Sequence, residues 1–393
     1  MKKSEKQADV VVLGSHPAAH FVAALLHEKR LGVMCCAIPR QAVRPDSRQA
    51  VRPDSRQAAA DRLVLVNPKL FDLHPFLAPL RRNVDWTATF GARFLGEECS
   101  TSGECHQRRT MALVGSLGDL AQATARMAQA HGVRLREPET LEIHGADEAG
   151  IDITAGNVRL KPRALVVCDE LPPLQRRALG IPNAWESGVM HRYTYARLEA
   201  ATENRLGSRP PVVMSLDLKG SLRWGWLLPH GKQWQVAVVE PIEDETSPAG
   251  EILLKHWVQV LAAHGLIDAA SLATAPAVEY VDLPLAGAMA HEGVGNRTLL
   301  VGPAGGFYSA CAEDVYPNCW SALFAVDVLA KSLRETHLQD AIGAYRHEWR
   351  TTLGDYLRGP QQNLQFLLPL VYRNQVMTDR LAESIFLGKA IVR

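Results

Sequence analysis

The chain has almost no surplus of charge of either sign. Its 393 residues carry 43 basic and 42 acidic side chains, a net charge of +1. A protein that neutralises phosphates along a polynucleotide needs a basic excess, so nucleic acid is excluded as the expected partner. Long hydrophobic runs are also missing. No segment offers the ~20 consecutive apolar residues of a bilayer crossing, and no membrane span is expected. The first residues, Met1 to Asp9, are polar and lead into a short apolar run, not into the longer core of a secretory leader. The seven cysteines (Cys35, Cys36, Cys99, Cys105, Cys168, Cys311 and Cys319) are odd in number and form no C-x-x-C pair. That argues against a disulfide framework or a structural zinc site and fits a reducing, cytoplasmic setting.

What is present is an ordinary globular balance, 47% apolar and 22% charged, in a chain long enough for two domains or one elaborated domain. Val10 to Leu13 is a continuous valine-rich run, the pattern of a strand buried on both faces. Gly14 ends it, and Pro17 opens an apolar-periodic helix reaching about His27, with Ala18, Phe21, Val22 and Leu25 on one face. Val33 to Ile38 reads as a second strand, which completes a βαβ unit and predicts a parallel sheet. Arg40 to Ser47 and Arg48 to Ser55 then repeat the same eight letters, RQAVRPDS. The repeat is too short and polar for a solenoid unit and is expected to be an exposed, disordered insertion.

Leu63 to Val66 reads as a strand and Leu113 to Gly132 as an amphipathic helix. Short strands follow at Val133–Leu135, Thr140–Ile143, Ile151–Thr154 and Ala164–Cys168. From about Met190 to Val281 the pattern changes to alternating strands (Val212–Leu216, Trp224–Leu228, Gln235–Val239) and one helix, Pro248–His264, as in an antiparallel sheet with a helix on it. Thr298–Val301 returns to a buried strand. Trp320–Leu333 is helical, and so is most of the tail from Leu338 to Val392.

The turn after the first strand reads Gly14-Ser15-His16-Pro17-Ala18-Ala19. A dinucleotide-binding turn has glycine at the first, third and sixth places: for the tight turn, for close approach of backbone to diphosphate, and for packing helix on strand. Here only Gly14 is glycine, and Ala19 is small enough for the last place. His16 puts a side chain where a phosphate would lie; it either excludes the phosphate or, if protonated, pairs with it. The acid that binds ribose at the end of the second strand is absent from Val33 to Arg40.

Later segments add to this. Ala164 to Ile181 reads ALVVCDELPPLQRRALGI, Leu299 to Phe307 reads LLVGPAGGF, and between them lies Trp224-Gly225-Trp226-Leu227-Leu228-Pro229-His230. In this order and spacing they resemble the geranylgeranyl-reductase-like flavoproteins of the p-hydroxybenzoate-hydroxylase-type group, which also includes flavin-dependent halogenases. The resemblance covers nearly the whole chain. Where that family has Ala-Asp-Gly, a serine, an arginine and Leu-Gly-Ile, this chain keeps Asp169, Arg176, Leu179, Gly180 and Ile181; Glu170 replaces the glycine and Pro173 the serine. Of the second flavin motif it keeps Gly302, Ala304, Gly306 and Phe307, with Pro303 in place of the aspartate. The loop under the flavin ring becomes Ala312-Glu313-Asp314-Val315.

The resemblance implies an α/β fold: a Rossmann-like FAD-binding domain from 1–62, 107–182 and 283–335, an antiparallel substrate domain from 63–106 and 183–282, and C-terminal helices over 336–393. It implies FAD as cofactor, held by Gly14, Ser15, His16, Pro17, Ala18, Ala19, Asp169, Gly302, Pro303, Ala304, Gly306, Phe307 and Asp314, with NAD(P)H as an external reductant. Trp224, Trp226, Leu228, Pro229 and His230 would wall a cavity for a hydrophobic, isoprenoid or polyene-like substrate. Glu313 and Tyr316 would handle protons beside the flavin. Lys69 is the lysine nearest to where halogenases keep theirs, in surroundings that do not match. The altered motifs keep a second expectation open: a flavin-free descendant that binds a lipid or a protein.

Each of these residues also has a plainer role. His16 and His20, at i and i+4, suit a metal only if a third ligand exists. The two tryptophans suit a core as well as a cavity wall. His230 suits a loop, and Glu313 with Asp314 a solvated helix start. Phe366 to Val371 packs on the body or touches a membrane surface or partner.

Overall fold

The computed structural model describes residues 8–39, 62–96, 102–182, 190–199, 209–218, 223–242, 250–284 (apart from 269, 272–274 and 276), 293–309, 315–357 and 364–389. The eight-residue repeat, Cys99, Cys311, Glu313 and Asp314 lie outside these.

Strand β1 (Val10–Leu13) is wholly buried, as its unbroken apolar run requires. It lies between β2 (Val33–Cys36) and the strand Ala164–Val167, parallel to both. The six-stranded sheet continues from β2 to Arg134–Arg136 on one side. On the other it runs from Ala164–Val167 to Thr298–Leu300 and then Val294–Gly295, which is antiparallel. The chain winds away from β1 in both directions, so the sheet has its switch point between β1 and Ala164–Val167, where α/β sheets open a crevice at their carboxyl ends.

Helix α1 (Pro17–Glu28) is buried from Pro17 through Leu26. It packs on the sheet and between the helices Leu117–Ala130 and Val315–Ser332, which explains why its apolar face extends nearly all round. A three-stranded sheet (Val158–Leu160, Gly150–Ala155, Leu141–Asp147) covers the opposite face of the parallel sheet.

The second large sheet has seven strands, in the order Val278–Pro284, Met190–Glu199, Gln233–Pro241, Trp224–His230, Val212–Ser215, Gly91–Leu95 and Ser102–His106. Helix Glu251–Ala263 lies on one face, and the helices Leu364–Arg373 and Gln375–Leu387 on the other. Gly225 has a specific task there. A Cβ on it would lie 2.6 Å from the Trp257 ring, so its bareness lets Trp257 lie flat on the strand and donate Nε1–H to the Trp226 carbonyl at 2.9 Å.

One expected element is different. Ala112–Ser116 is a strand, paired with Leu63–Val66 and Thr87–Thr89, and the helix begins only at Leu117. Ser116 caps it, accepting the Asp119 N–H at 3.2 Å, so a capping serine and not the apolar run marks the start. The long C-terminal-half helix likewise starts earlier than its periodicity predicts, at Val315.

Candidate functional site

A cleft of about 610 Å³ runs along the carboxyl ends of the parallel strands and under the edge strand Val278–Pro284. One end is walled by Ile38, Pro39, Glu137 and Pro138; the middle by Ser15, His16, Pro17, Arg62 and Asp169; the far end by Val281, Leu283, Pro303, Ala304 and Tyr308. That volume lies within the usual range of ~300–1,000 Å³ for small-molecule sites.

The middle is built by the turn after β1. Gly14 has φ +138°, and a Cβ there would lie 3.1 Å from both the Asp169 side chain and backbone, so only glycine lets the two strand ends meet. Asp169 uses that closeness: its Oδ2 accepts the Ser15 N–H at 2.7 Å and the Ser15 Oγ–H at 3.2 Å. Next, His16 takes the N-cap of α1, its Nδ1 accepting the Ala18 N–H at 3.1 Å, and Pro17 at the first helical position has no N–H to offer. The Ala19 N–H returns to the His16 carbonyl at 2.8 Å. Most of the backbone donors that would ordinarily greet an anion at a helix N-terminus are thus spent inside the turn.

Their place is taken by side chains. His16 is 7% exposed, and its Nε2 is sealed from solvent without a hydrogen-bond partner. Because Nδ1 accepts a hydrogen bond, the proton of the neutral ring sits on Nε2. Burial pushes the imidazole down to about 3; Asp169 works in the opposite direction, and Arg62 and His20 add to the depression. Arg62 is 3% exposed, with its guanidinium 5.6 Å from the centroid of the Tyr193 ring. The His16 ring and the Arg62 side chain therefore line the middle of the cleft, with an unsatisfied neutral donor buried in its wall. This tests the diphosphate of FAD against the site. The Ser15, Ala18 and Ala19 amides are engaged elsewhere, so a diphosphate contact would fall to His16 and Arg62, which line the same stretch of the cleft.

The second motif closes the far end. Gly302–Gly305 forms a 3-10 turn, with Gly302 at φ +60° and Gly306 left-handed. Gly302 N–H donates to Ser321 Oγ at 3.0 Å, and a Cβ on Gly302 would stand 3.3 Å from that of Ala18, so this glycine brings the motif against α1. Pro303 and Ala304 face the cleft, whereas Phe307 is fully buried against the edges of Tyr345 and Trp349. Glu170 pairs loosely with the buried Arg176 at 3.8 Å, and Arg176 Nε donates to the Pro182 carbonyl at 2.6 Å. Cys35 and Cys168 are buried next to the turn, and burial holds both thiols well above the ordinary cysteine value, so neither is a thiolate nucleophile.

Other expected site residues stand elsewhere. Trp224, Trp226 and Leu228 are buried in the core between the antiparallel sheet and the C-terminal helices, and none of them lines the cleft. Pro229 and His230 end their strand away from it, with His230 Nδ1 3.3 Å from Thr87 Oγ1. Tyr316 is 5% exposed and packed against Trp320 and Tyr356. His20 does not join His16 around a metal; its Nδ1 lies 3.0 Å from Thr124 Oγ1, the polar member of the facing helix's apolar stripe. No group of three metal-ligating side chains occurs among the described residues.

Arg62 and Glu137 are among the cleft residues that sequence reading does not single out. Arg62 lies immediately before the Leu63–Val66 strand, and a lone arginine against a buried run was the available signal. Glu137 follows Arg134–Arg136, the strand paired with β2, and so supplies a carboxylate at the cleft end where β2 itself has none.

No protein-family model matches the chain, nor does any curated protein. Solved structures do. A geranylgeranyl bacteriochlorophyll reductase-like protein from Thermoplasma acidophilum superposes with a TM-score of 0.70 at 12% identity, covering 98% of each chain. The flavin-dependent brominase Bmp2 gives 0.66 at 13% identity, covering 96% of this chain and 93% of the other. The OxyS anhydrotetracycline hydroxylase from Streptomyces rimosus gives 0.61 at 16%, covering 98% and 77%. At such identities the likeness establishes the fold, and the fold is the α/β arrangement of parallel sheet, antiparallel sheet and terminal helices that the resemblance implies.

Proposed function

We propose that the chain is an FAD-dependent oxidoreductase acting on a hydrophobic small molecule. The observation that carries this reading is the cleft itself: it opens at the switch point of the parallel sheet and is lined by the remnants of both flavin motifs, Ser15–Pro17 with Asp169, and Pro303–Ala304. In this reading His16 and Arg62 hold the diphosphate, Glu137 the ribose, and the Pro303–Ala304 turn the ring end. FAD, when bound, supplies the hydride or oxygen-activating chemistry. The protein's own share is to orient the substrate and exclude water, and Val281, Leu283, Pro284, Leu300 and Tyr308 provide the apolar wall that does so. An isoprenoid or polyene substrate and a nicotinamide reductant follow from the resemblance noted above. Leu367 and Leu370, 50% and 64% exposed on one C-terminal helix, would rest on a membrane surface from which such a substrate is drawn.

Titration of the purified protein with FAD tests the proposal. A bound chromophore absorbing near ~450 nm is expected. A colourless protein that still binds no FAD after reconstitution would refute it. The self-capped turn favours one rival, a flavin-free lipid binder, and that result would leave the rival standing.

A further inference from the structure

We infer that His16 has taken over from the backbone amides as the donor that reads a diphosphate in the cleft, with Nδ1 tied to the helix and Nε2–H given to the ligand. The identity of the ligand rests on the FAD reading; the contact rests on this chain's own residues.

Four observations carry it. Most backbone donors of the turn are engaged or absent: Ser15 N–H with Asp169, Ala18 N–H with the His16 ring, Ala19 N–H with the His16 carbonyl, and none on Pro17, which leaves the N–H of His16 itself. The Nδ1 contact fixes the tautomer, so Nε2 bears the proton. That donor is buried with no partner, in a ring that forms part of the cleft wall. Leaving a buried donor unmade is costly, and an oxygen seated against the ring removes the cost. Finally, the charged neighbours of the ring suit an anion. Arg62 lines the same stretch of wall, while the Asp169 carboxylate is engaged by Ser15.

The titratable and charged groups acting on the ring are Asp169, Arg62 and His20, and burial outweighs them in keeping the imidazole neutral. His16 therefore acts as an uncharged donor, a longer version of the amide it replaces, and not as a cation. The helix remains part of the arrangement, since Ala18 N–H polarises the ring from behind through Nδ1.

The test uses the full chain, its His16→Ser and His16→Phe variants, and three probes: FAD, ADP and riboflavin, the last without a diphosphate. Serine keeps the helix cap and phenylalanine keeps the bulk, so a fold defect and a lost donor are told apart. Both variants are expected to bind FAD and ADP about tenfold or more weakly, the loss for a hydrogen bond to a charged acceptor, with riboflavin unchanged. On ADP addition to the wild type, the His16 Nε2 resonance should move, and affinity should not rise as pH falls from 8 to about 5 in the way a protonating histidine with an ordinary value of ~6.5 would require.

Unchanged FAD affinity in both variants overturns the inference and leaves the flavin reading intact. Tighter binding by His16→Ser does the same by revealing a plug, and a parallel fall in riboflavin affinity overturns it as well. If ADP binds with the expected His16 dependence and FAD does not bind, the flavin reading fails and the inference stands. A wild type that takes up neither FAD nor ADP ends both.

Discussion

Acid should weaken this protein through two buried histidines, and the size of the effect follows from their surroundings. Burial lowers His16 to about 3 and His20 to about 4. In the unfolded chain both return to ~6.5. Between those values the unfolded state binds a proton at each ring and the folded state does not, so stability falls as pH falls. Above ~6.5 neither histidine carries a penalty, and the penalty is complete only near the folded values. At pH 5 each ring has crossed about 1.5 pH units at ~1.4 kcal/mol per unit, or about 2 kcal/mol each and about 4 kcal/mol for the pair. Against a typical total of ~5–15 kcal/mol that is a large share. Urea unfolding followed by tryptophan fluorescence at pH 7.5 and 5.0 measures it. The double variant His16→Ser, His20→Gln should lose about 4 kcal/mol less than the wild type over that interval, because carboxylate contributions are common to both. If the two proteins lose the same amount, the rings are not held neutral and the argument fails.

Other outcomes follow from single contacts. Gly225→Ala pushes a methyl into the Trp257 ring and should cost about 1–3 kcal/mol of stability, read as a lower urea midpoint, with no change in ligand affinity because the clash lies on the far face of its sheet. Under the proposed FAD reading, in which Glu137 holds the ribose, Glu137→Gln should weaken FAD and ADP by about tenfold or less and leave riboflavin untouched. Equal weakening of riboflavin would move Glu137 out of the nucleotide end.

How much could be read in advance depended on how local each signal was. Val10–Leu13, Gly14 and Pro17 declare a βα turn among neighbours in sequence, and the structure builds it from those residues. The run Ala112–Gly115 is apolar and only a few residues long, so it suits strand or helix equally; its pairing with Leu63–Val66, some fifty positions earlier, decides. Arg62 and Glu137 reach the cleft only because strands distant in sequence lie side by side. The tryptophans of the Trp224–His230 strand show the reverse. Alternation placed them on one face, but the C-terminal helices that cover that face come some 140 residues later, and they turn an expected cavity wall into packed interior. His16 was visible as an intruder in a glycine position. Its use as a cap depends on a rotamer, which no spacing rule contains.

Because Asp169 holds the Ser15 amide and the His16 ring holds the Ala18 amide, the backbone of this turn does not need a cofactor to hold its shape. If flavin binds as proposed, its loss need not be followed by collapse of the turn, and the empty form can be refilled. Ligand-induced gains in melting temperature would then reflect mass action alone, with no contribution from ordering of the pocket.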